Sequence, residues 1–110
     1  MKARGIRKQP GQMNGLETRY SQVLEARKSS DVEWWAFEAI KLRLAKKTFY
    51  TPDFLVMLKD GTLEVHEVKG FWEDDARVKI KVAASLFPFR FFGKTYSKRE
   101  GWKTEEFSDG

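Results

Sequence analysis

The chain has 110 residues, of which 41% are hydrophobic and 15% aromatic, so it can build one modest core but not two. It contains no cysteine, which excludes disulfides and thiol catalysis, and it has no apolar run of membrane-spanning length and no signal-peptide pattern. These features predict a cytosolic protein that does not associate with membranes. The net charge of +5 favours a polyanionic partner, above all nucleic acid, although ordinary solubilising charges would give the same surplus.

The two ends of the chain carry much of the basic surplus. Residues 1–13 are rich in Gly, Gln and basic residues without apolar periodicity, which predicts a flexible basic arm before a single domain over residues 14–107. Residues 108–110 are expected to fray. A second basic stretch, over residues 90–103, contains one acid. The arm supplies four candidate phosphate contacts, which are Lys2, Arg4, Arg7 and Lys8.

A capping box predicts the start of the first helix. Asn14 can cap the first turn, and Glu17, three residues later, can bond back to it. The apolar stripe that follows continues the helix to about Lys28. Glu17 therefore has a complete structural explanation as a capping residue.

Residues 31–47 show the pattern of one or two half-buried strands. The paired Trp34 and Trp35 are expected to pack against the first helix. Lys41 and Arg43 alternate with apolar residues and would share a polar face, which makes them candidate phosphate contacts. Glu38 lies nearby and is a reserve acid for a metal site.

Residues 49–70 are predicted to form a β-hairpin whose turn contains Asp60 and Gly61. A three-residue loop over 59–61 makes the numbers of opposed residues sum to 120, which puts Asp53 opposite Glu67 and Lys69 on the same face. Thr51 would then lie opposite Lys69 and could contact phosphate. A two-residue loop would instead set the sum at 121, put Asp53 opposite Val68 and scatter the charges.

Two carboxylates that face each other repel, and either a bound cation or a shifted proton relieves the repulsion. Mg²⁺ suits this pair better than Zn²⁺, because Mg²⁺ takes one or two carboxylates with retained waters and Zn²⁺ prefers His or Cys. The alternative is an exposed charge network in which Lys69 pairs with both acids. Pro52 favours a site, since it cannot donate to a strand ladder and indicates an edge or a bulge beside Asp53. His66 alternates to the opposite face, as a packing or surface histidine.

The acidic residues 73–75 suit the start of a second helix over 73–86, which Pro88 ends. A strand over about 89–96 follows, and residues 102–107 form either a further strand or a tail. The resulting order is αβββαβ. This order predicts an α/β fold with a mixed sheet flanked by helices.

Pro52-Asp53 followed by Glu67-Val68-Lys69 after a strand-turn-strand interval resembles the signature of the PD-(D/E)XK nuclease superfamily. Within that superfamily the chain is similar to small phage-encoded nucleases, including the endonuclease I type of Holliday-junction resolvase. With the flanking helices and strand, the resemblance covers most of residues 14–93. It implies a restriction-endonuclease-like core and hydrolysis of DNA phosphodiester bonds with Mg²⁺, for which Mn²⁺ can substitute. A phage protein of this type would act in the host cytoplasm.

The resemblance also assigns roles. Asp53, Glu67 and the backbone carbonyl of Val68 would hold the metal, and Glu17 matches the first-helix acid that completes a second metal position. Lys69 would orient and help deprotonate the attacking water, or stabilise charge on the phosphate. Resolution of a junction needs two coordinated cuts, which predicts a homodimer.

Three other functions remain open from the sequence. The first is a nonspecific or nicking nuclease that uses the same residues. The second is a non-catalytic nucleic-acid-binding module in which the acids are structural, and the third is a protein-binding phage accessory factor.

Overall fold

The computed structural model describes residues 11–107, so the predictions for residues 1–10, with their four basic side chains, and for the tail 108–110 lie outside the described residues. Met13, at the end of the predicted arm, packs against the hydrophobic core. The described chain contains two helices and seven strands in the order α1 Gly15–Arg27, β1 Val32–Phe37, β2 Leu42–Ala45, β3 Thr48–Tyr50, β4 Phe54–Leu58, β5 Leu63–Lys69, α2 Asp74–Leu86, β6 Arg90–Ser97 and β7 Gly101–Phe107.

Five of the strands form one mixed sheet in the order β1-β4-β5-β6-β7, and β2 and β3 form a separate two-stranded sheet. Strands β5 and β6 run parallel, with α2 as the crossover between them, and the other neighbours run antiparallel. The predicted α/β class with a mixed sheet and two helices is confirmed. Residues 101–107 pair along β6 as a strand, so the alternative of a tail is wrong.

Each helix accompanies a different hydrophobic cluster, because side chains in a strand alternate between the two faces of the sheet. The α1-side core consists of Tyr20, Leu24, Val32, Phe54, Val56 and Val68. The α2-side core includes the β2-β3 hairpin and consists of Leu42, Tyr50, Val65, Ile80, Ala83, Phe91 and Phe107. Within residues 11–107, no helix is long and apolar enough to cross a membrane.

Both helices begin as the sequence predicts. Asn14 caps α1 through its side chain, which accepts from the Glu17 backbone, and the Glu17 side chain accepts from the Asn14 backbone in return. Helix α2 begins after Glu73 and carries two further acids, Asp74 and Asp75, in its first turn, where they meet the positive end of the helix dipole.

The hairpin formed by β4 and β5 has the predicted register. Paired residues sum to 120, from Phe54 with His66 to Met57 with Leu63. The three-residue loop is closed by the Gly61 backbone N–H, which donates to the Leu58 carbonyl at 2.9 Å. Gly61 has φ of +91°, a conformation that glycine adopts without a side-chain penalty.

The first arm of the hairpin is shorter than predicted. Residues 48–50 form β3, which pairs with β2, and residues 51–53 belong to no strand before β4 begins at Phe54. The break coincides with Pro52, which has no N–H for a ladder. The chain therefore passes from the small sheet to the large sheet immediately before Asp53.

The two tryptophans of β1 separate. Trp35 packs on the α1-side core, and its Nε1 donates to Glu25 Oε1 at 2.9 Å, which confirms the expected packing on the first helix. Trp34 is exposed, so the same expectation is wrong for it. Neighbouring strand residues point to opposite faces, and one of an adjacent pair must leave the core.

Candidate active site

Asp53 lies immediately before β4 and Glu67 lies near the end of β5, and a main-chain N–H group donates to each carboxylate. The Asp53 backbone N–H donates to Glu67 Oε1 at 3.1 Å, and the Val68 backbone N–H donates to Asp53 Oδ2 at 2.8 Å. Each side chain is 7% exposed. The predicted juxtaposition of the two carboxylates is therefore present, and it is fixed by the main chain of both strands.

Lys69 joins the pair from the next position on the same face of β5. Its Nζ lies 3.5 Å from Glu67 Oε2, and its side chain is half-exposed. The structure thus brings together Asp53, Glu67 and Lys69, the three charges on which the sequence prediction depended.

Tyr50 is a residue of this site that the sequence analysis missed. Its buried hydroxyl donates to Glu67 Oε1 at 2.8 Å, and this oxygen also accepts from the Asp53 backbone. Glu67 Oε1 therefore has two donors, while Oε2 faces Lys69. The only sequence signal for Tyr50 was Pro52, because the chain break at the proline places β3 beside the end of β5.

The two carboxyl groups share a raised proton affinity. Burial raises the pKa of Asp53 to about 8, and the charge of Glu67 adds to the effect. Burial also raises the pKa of Glu67, against the hydrogen bond from Tyr50 and the charge of Lys69. Burial thus favours the shifted proton that the sequence predicted as one way to relieve the repulsion between the two carboxylates.

A cleft of about 230 Å³ opens onto the site. It is lined by Tyr50, Thr51, Glu67, Lys69, Ala76 and Lys79. Thr51 therefore lies where the sequence analysis expected it, beside Lys69. Lys79 was not foreseen: it comes from α2, and its Nζ donates to the Phe49 carbonyl at 3.3 Å. Two lysines and a threonine hydroxyl beside an acid form a cleft suited to a phosphate group.

The donor set of the site fits Mg²⁺. Two buried carboxylates of raised pKa gain from a cation, and Mg²⁺ completes its shell with waters and substrate phosphate oxygens. Across residues 11–107, no group of three or more His, Asp and Glu side chains is placed to hold a metal by itself.

Glu17 remains a capping residue in the structure. It is buried, and its Oε1 accepts from the Asn14 backbone at 2.9 Å. Its charge contributes to the raised pKa of Asp53, but it does not form a metal-holding group of three with Asp53 and Glu67. Glu38, the reserve acid, accepts from the Gly11 backbone at 2.8 Å through Oε1.

The two predicted phosphate contacts from the region of β2 are exposed. Arg43 lies in β2, and Lys41 lies just before it with its Nζ 4.6 Å from the centre of the Phe49 ring. Phe49 precedes the cleft residue Tyr50. Neither Lys41 nor Arg43 is among the residues that line the cleft.

His66 points away from the site, as predicted. The Tyr20 hydroxyl contacts its Nδ1 at 2.6 Å, and its Nε2 contacts Glu64 Oε1 at 2.9 Å. Burial lowers the pKa of His66, so the neutral ring donates from Nε2 and accepts at Nδ1. The histidine is a buried packing residue of the α1 face.

Comparison with protein-family models, with curated proteins and with solved structures finds no match to this chain. The structure itself describes an α/β protein with a buried carboxylate pair, an adjacent lysine and a cleft that two lysines line.

Proposed function

We propose that this protein is a Mg²⁺-dependent DNA endonuclease that hydrolyses phosphodiester bonds, with selectivity for branched DNA such as a Holliday junction. The observation that carries the proposal is the pair of buried carboxylates held by main-chain N–H groups, with Glu67 accepting from Asp53, Asp53 accepting from Val68, and the Lys69 ammonium 3.5 Å from Glu67. Two adjacent buried acids of raised pKa, one of which lines a cleft, are candidates for function rather than for stability.

The order of elements supports a restriction-endonuclease-like core as part of this proposal. The helix α1, the strands β1, β4 and β5, the helix α2 and the strand β6 follow the order αβββαβ within one sheet. The β2-β3 hairpin is then an insertion, and β7 extends the edge of the sheet. The insertion supplies Tyr50 and Thr51 to the cleft.

In the proposed mechanism, Asp53, Glu67 and the carbonyl of Val68 hold Mg²⁺, and Mn²⁺ can replace it. The bound ion supplies charge neutralisation and Lewis-acid polarisation of the scissile phosphate. The Lys69 ammonium orients the attacking water or stabilises the charge that develops on phosphate. Thr51 and Lys79 position the phosphate in the cleft, and the products carry 5′-phosphate and 3′-hydroxyl ends. Tyr50 fixes the orientation of Glu67 from the wall of the same cleft.

One chain carries one such site, and junction resolution needs two cuts. We therefore propose a homodimer that works on phage DNA in the host cytoplasm. Light scattering of the purified protein tests the pairing. A monomer that still resolves junctions would contradict it.

The test of the proposed function compares wild type, Lys69→Ala and Lys59→Ala on a four-way junction and on linear duplex of matched sequence, with and without Mg²⁺. Lys59 is an exposed lysine at the far end of the same hairpin, so it controls for loss of one charge. We expect wild type and Lys59→Ala to cut the junction only with Mg²⁺, and Lys69→Ala to lose about 100-fold or more of the rate. Equal cutting by wild type and Lys69→Ala would remove the assigned site, and equal cutting of junction and duplex would indicate a nonspecific nuclease.

A further inference from the structure

A second cleft, of about 280 Å³, lies beside the candidate active site at the same edge of the sheet. It is lined by Gly70 and Phe71, which follow Lys69 directly, and by Thr95, Tyr96, Ser97, Glu100, Gly101 and Lys103. Strand pairing connects the two sites, because Thr95 is the partner of Lys69 in β5 and of Lys103 in β7. Three neighbouring strands at about 4.8 Å spacing put Lys103 about 10 Å from Lys69 along this row.

Phe71 is the most exposed large hydrophobic side chain of residues 11–107, at 75%. Its exposure is not the result of a loosely attached loop. The next residue, Trp72, packs edge-on against Phe107 with ring centres 5.6 Å apart, and it lies so close over Gly93 that a Cβ at that position would overlap its ring. Trp72 therefore anchors the loop and presents Phe71 outward at the mouth of the second cleft.

One acid, Glu100, lines this cleft and pairs with Lys103, so the positive charge that fits a nucleic-acid strand lies in the adjoining turn. Among the basic residues of 90–103, Arg90 is paired with Glu106, Lys94 donates to Thr104, and Lys103 is paired with Glu100. Lys98 and Arg99, in the exposed turn between β6 and β7, have no ion-pair partner within the described chain. They are available to contact phosphates.

We propose that the second cleft binds one unpaired nucleobase of the DNA substrate, which stacks on Phe71 while Lys98 and Arg99 hold the adjoining phosphates. The cleft is smaller than the pockets that take drug-sized ligands, and a single base stacked on an aromatic ring matches both its size and its open aromatic wall. A fully paired duplex keeps its bases stacked and has no base to offer. The subsite thus gives preference for branched or locally unpaired DNA beside the cutting site, and it rests on the proposed function.

The test uses Phe71→Ala and the control Leu86→Ala, which removes another exposed apolar side chain at the distant end of α2. Fluorescence anisotropy without divalent cations measures the affinity for a duplex with one unpaired 2-aminopurine and for the same duplex fully paired. We expect wild type and Leu86→Ala to prefer the unpaired substrate, and Phe71→Ala to lose at least about five-fold of that preference. The fluorescence of 2-aminopurine should be quenched by wild type and not by Phe71→Ala.

An unchanged preference in Phe71→Ala, or the absence of any preference in wild type, would overturn the subsite. Cleavage by wild type is measured separately with Mg²⁺. A Phe71-dependent preference without any cleavage leaves the subsite in place and contradicts the nuclease. Cleavage with an unchanged preference in Phe71→Ala contradicts the subsite alone.

Discussion

Strand β5 carries buried polar groups on both faces, and the two faces differ in how those groups are satisfied. On the α1 face, Glu64 accepts from His66 at 2.9 Å and lies 3.7 Å from Arg90. Although burial opposes it, the hydrogen bond from His66 together with the Arg90 charge holds the pKa of Glu64 below its usual value. On the α2 face, burial raises the pKa of both Glu67 and Asp53, and the charge of Glu67 raises that of Asp53 further.

Burial alone therefore does not distinguish the two acids of β5, since Glu64 is 6% and Glu67 is 7% exposed. The partner distinguishes them. Glu64 has a donor and a cation, so its charge is compensated inside the fold. Glu67 also has hydrogen-bond donors and lies beside a cation, Lys69, but that single charge faces two buried carboxylates, those of Glu67 and Asp53. A bound cation would relieve the repulsion within this acid pair, which is why we propose a binding site on the α2 face and a structural network on the α1 face.

The largest expected effect is on catalysis, and it should be confined to the α2 face. Asp53→Asn keeps an acceptor for the Val68 N–H but removes the charge, so we expect junction cleavage to fall about 100-fold or more. Glu64→Gln should change the single-turnover rate by less than about three-fold at temperatures where the variant is folded. Comparable losses in both variants would mean that the two faces do not differ in function.

A pair of tyrosine variants sharpens the comparison. Tyr20→Phe removes the donor to buried His66, so the free energy of unfolding should fall by about 1 to 3 kcal/mol while the Mg²⁺ dependence of cleavage stays unchanged. Tyr50→Phe removes a donor to Glu67, and the Mg²⁺ concentration for half-maximal cleavage should rise about 10-fold. Urea unfolding and Mg²⁺ titrations measure the two quantities. Unchanged Mg²⁺ dependence in Tyr50→Phe would remove its positioning role.

The pH dependence of stability should also follow the α2 face. The pKa of Asp53 is about 8 in the folded protein and near 4 when unfolded, so between these values the folded state binds more protons. The contribution of this group to stability is present below about pH 4 and is lost as the pH rises through 8. Without divalent cations, the stability of Asp53→Asn relative to wild type should therefore increase as the pH rises from about 5 to 9.

We expect the gain of Asp53→Asn at high pH to exceed about 1 kcal/mol, which is about 4 to 8 °C in Tm for a domain of this size. Thermal unfolding monitored by circular dichroism measures it. Added Mg²⁺ should reduce the difference in Tm between the two proteins, because it should stabilise wild type only. A gap that is constant with pH would show that Asp53 titrates normally.

The smallest effect concerns the cleft wall. Lys79→Ala should weaken DNA binding a few-fold and reduce the salt dependence of the affinity by about one counterion, because Lys79 lines the cleft. Lys81→Ala is the matched control, since Lys81 is exposed on the same helix and does not line the cleft. Equal changes in both variants would show that Lys79 acts only through the general charge of the protein.

The sequence contained enough information for the register of the central hairpin. Gly61 allows the three-residue turn, and the turn fixes the pairing that places Asp53 by Glu67. The capping box of α1 and the acidic start of α2 were likewise local signals and were confirmed. These features depend on residues close in sequence, which is why the pattern was sufficient.

The missed parts of the site depend on contacts between distant segments. The β2-β3 turn contains Lys47 at φ +59° without a glycine or asparagine to signal it, so β3 was joined to β4 in the prediction. Tyr50 reaches Glu67, and Lys79 reaches the cleft from α2, only through packing of the α2-side core. Glu17 is the opposite case, because its capping role depends on a residue three positions away and could be predicted from the sequence. Its hydrogen bond to the Asn14 backbone shows that role.

The central claim is that the acid pair of the α2 face binds a divalent cation and that the buried acid of the α1 face does not. Titration with Mn²⁺, followed by electron paramagnetic resonance of the free ion, measures this directly in wild type, Asp53→Asn and Glu64→Gln. The account predicts binding at the same site by wild type and Glu64→Gln and loss of that binding in Asp53→Asn. Undiminished binding by Asp53→Asn, or no binding by wild type, would contradict it.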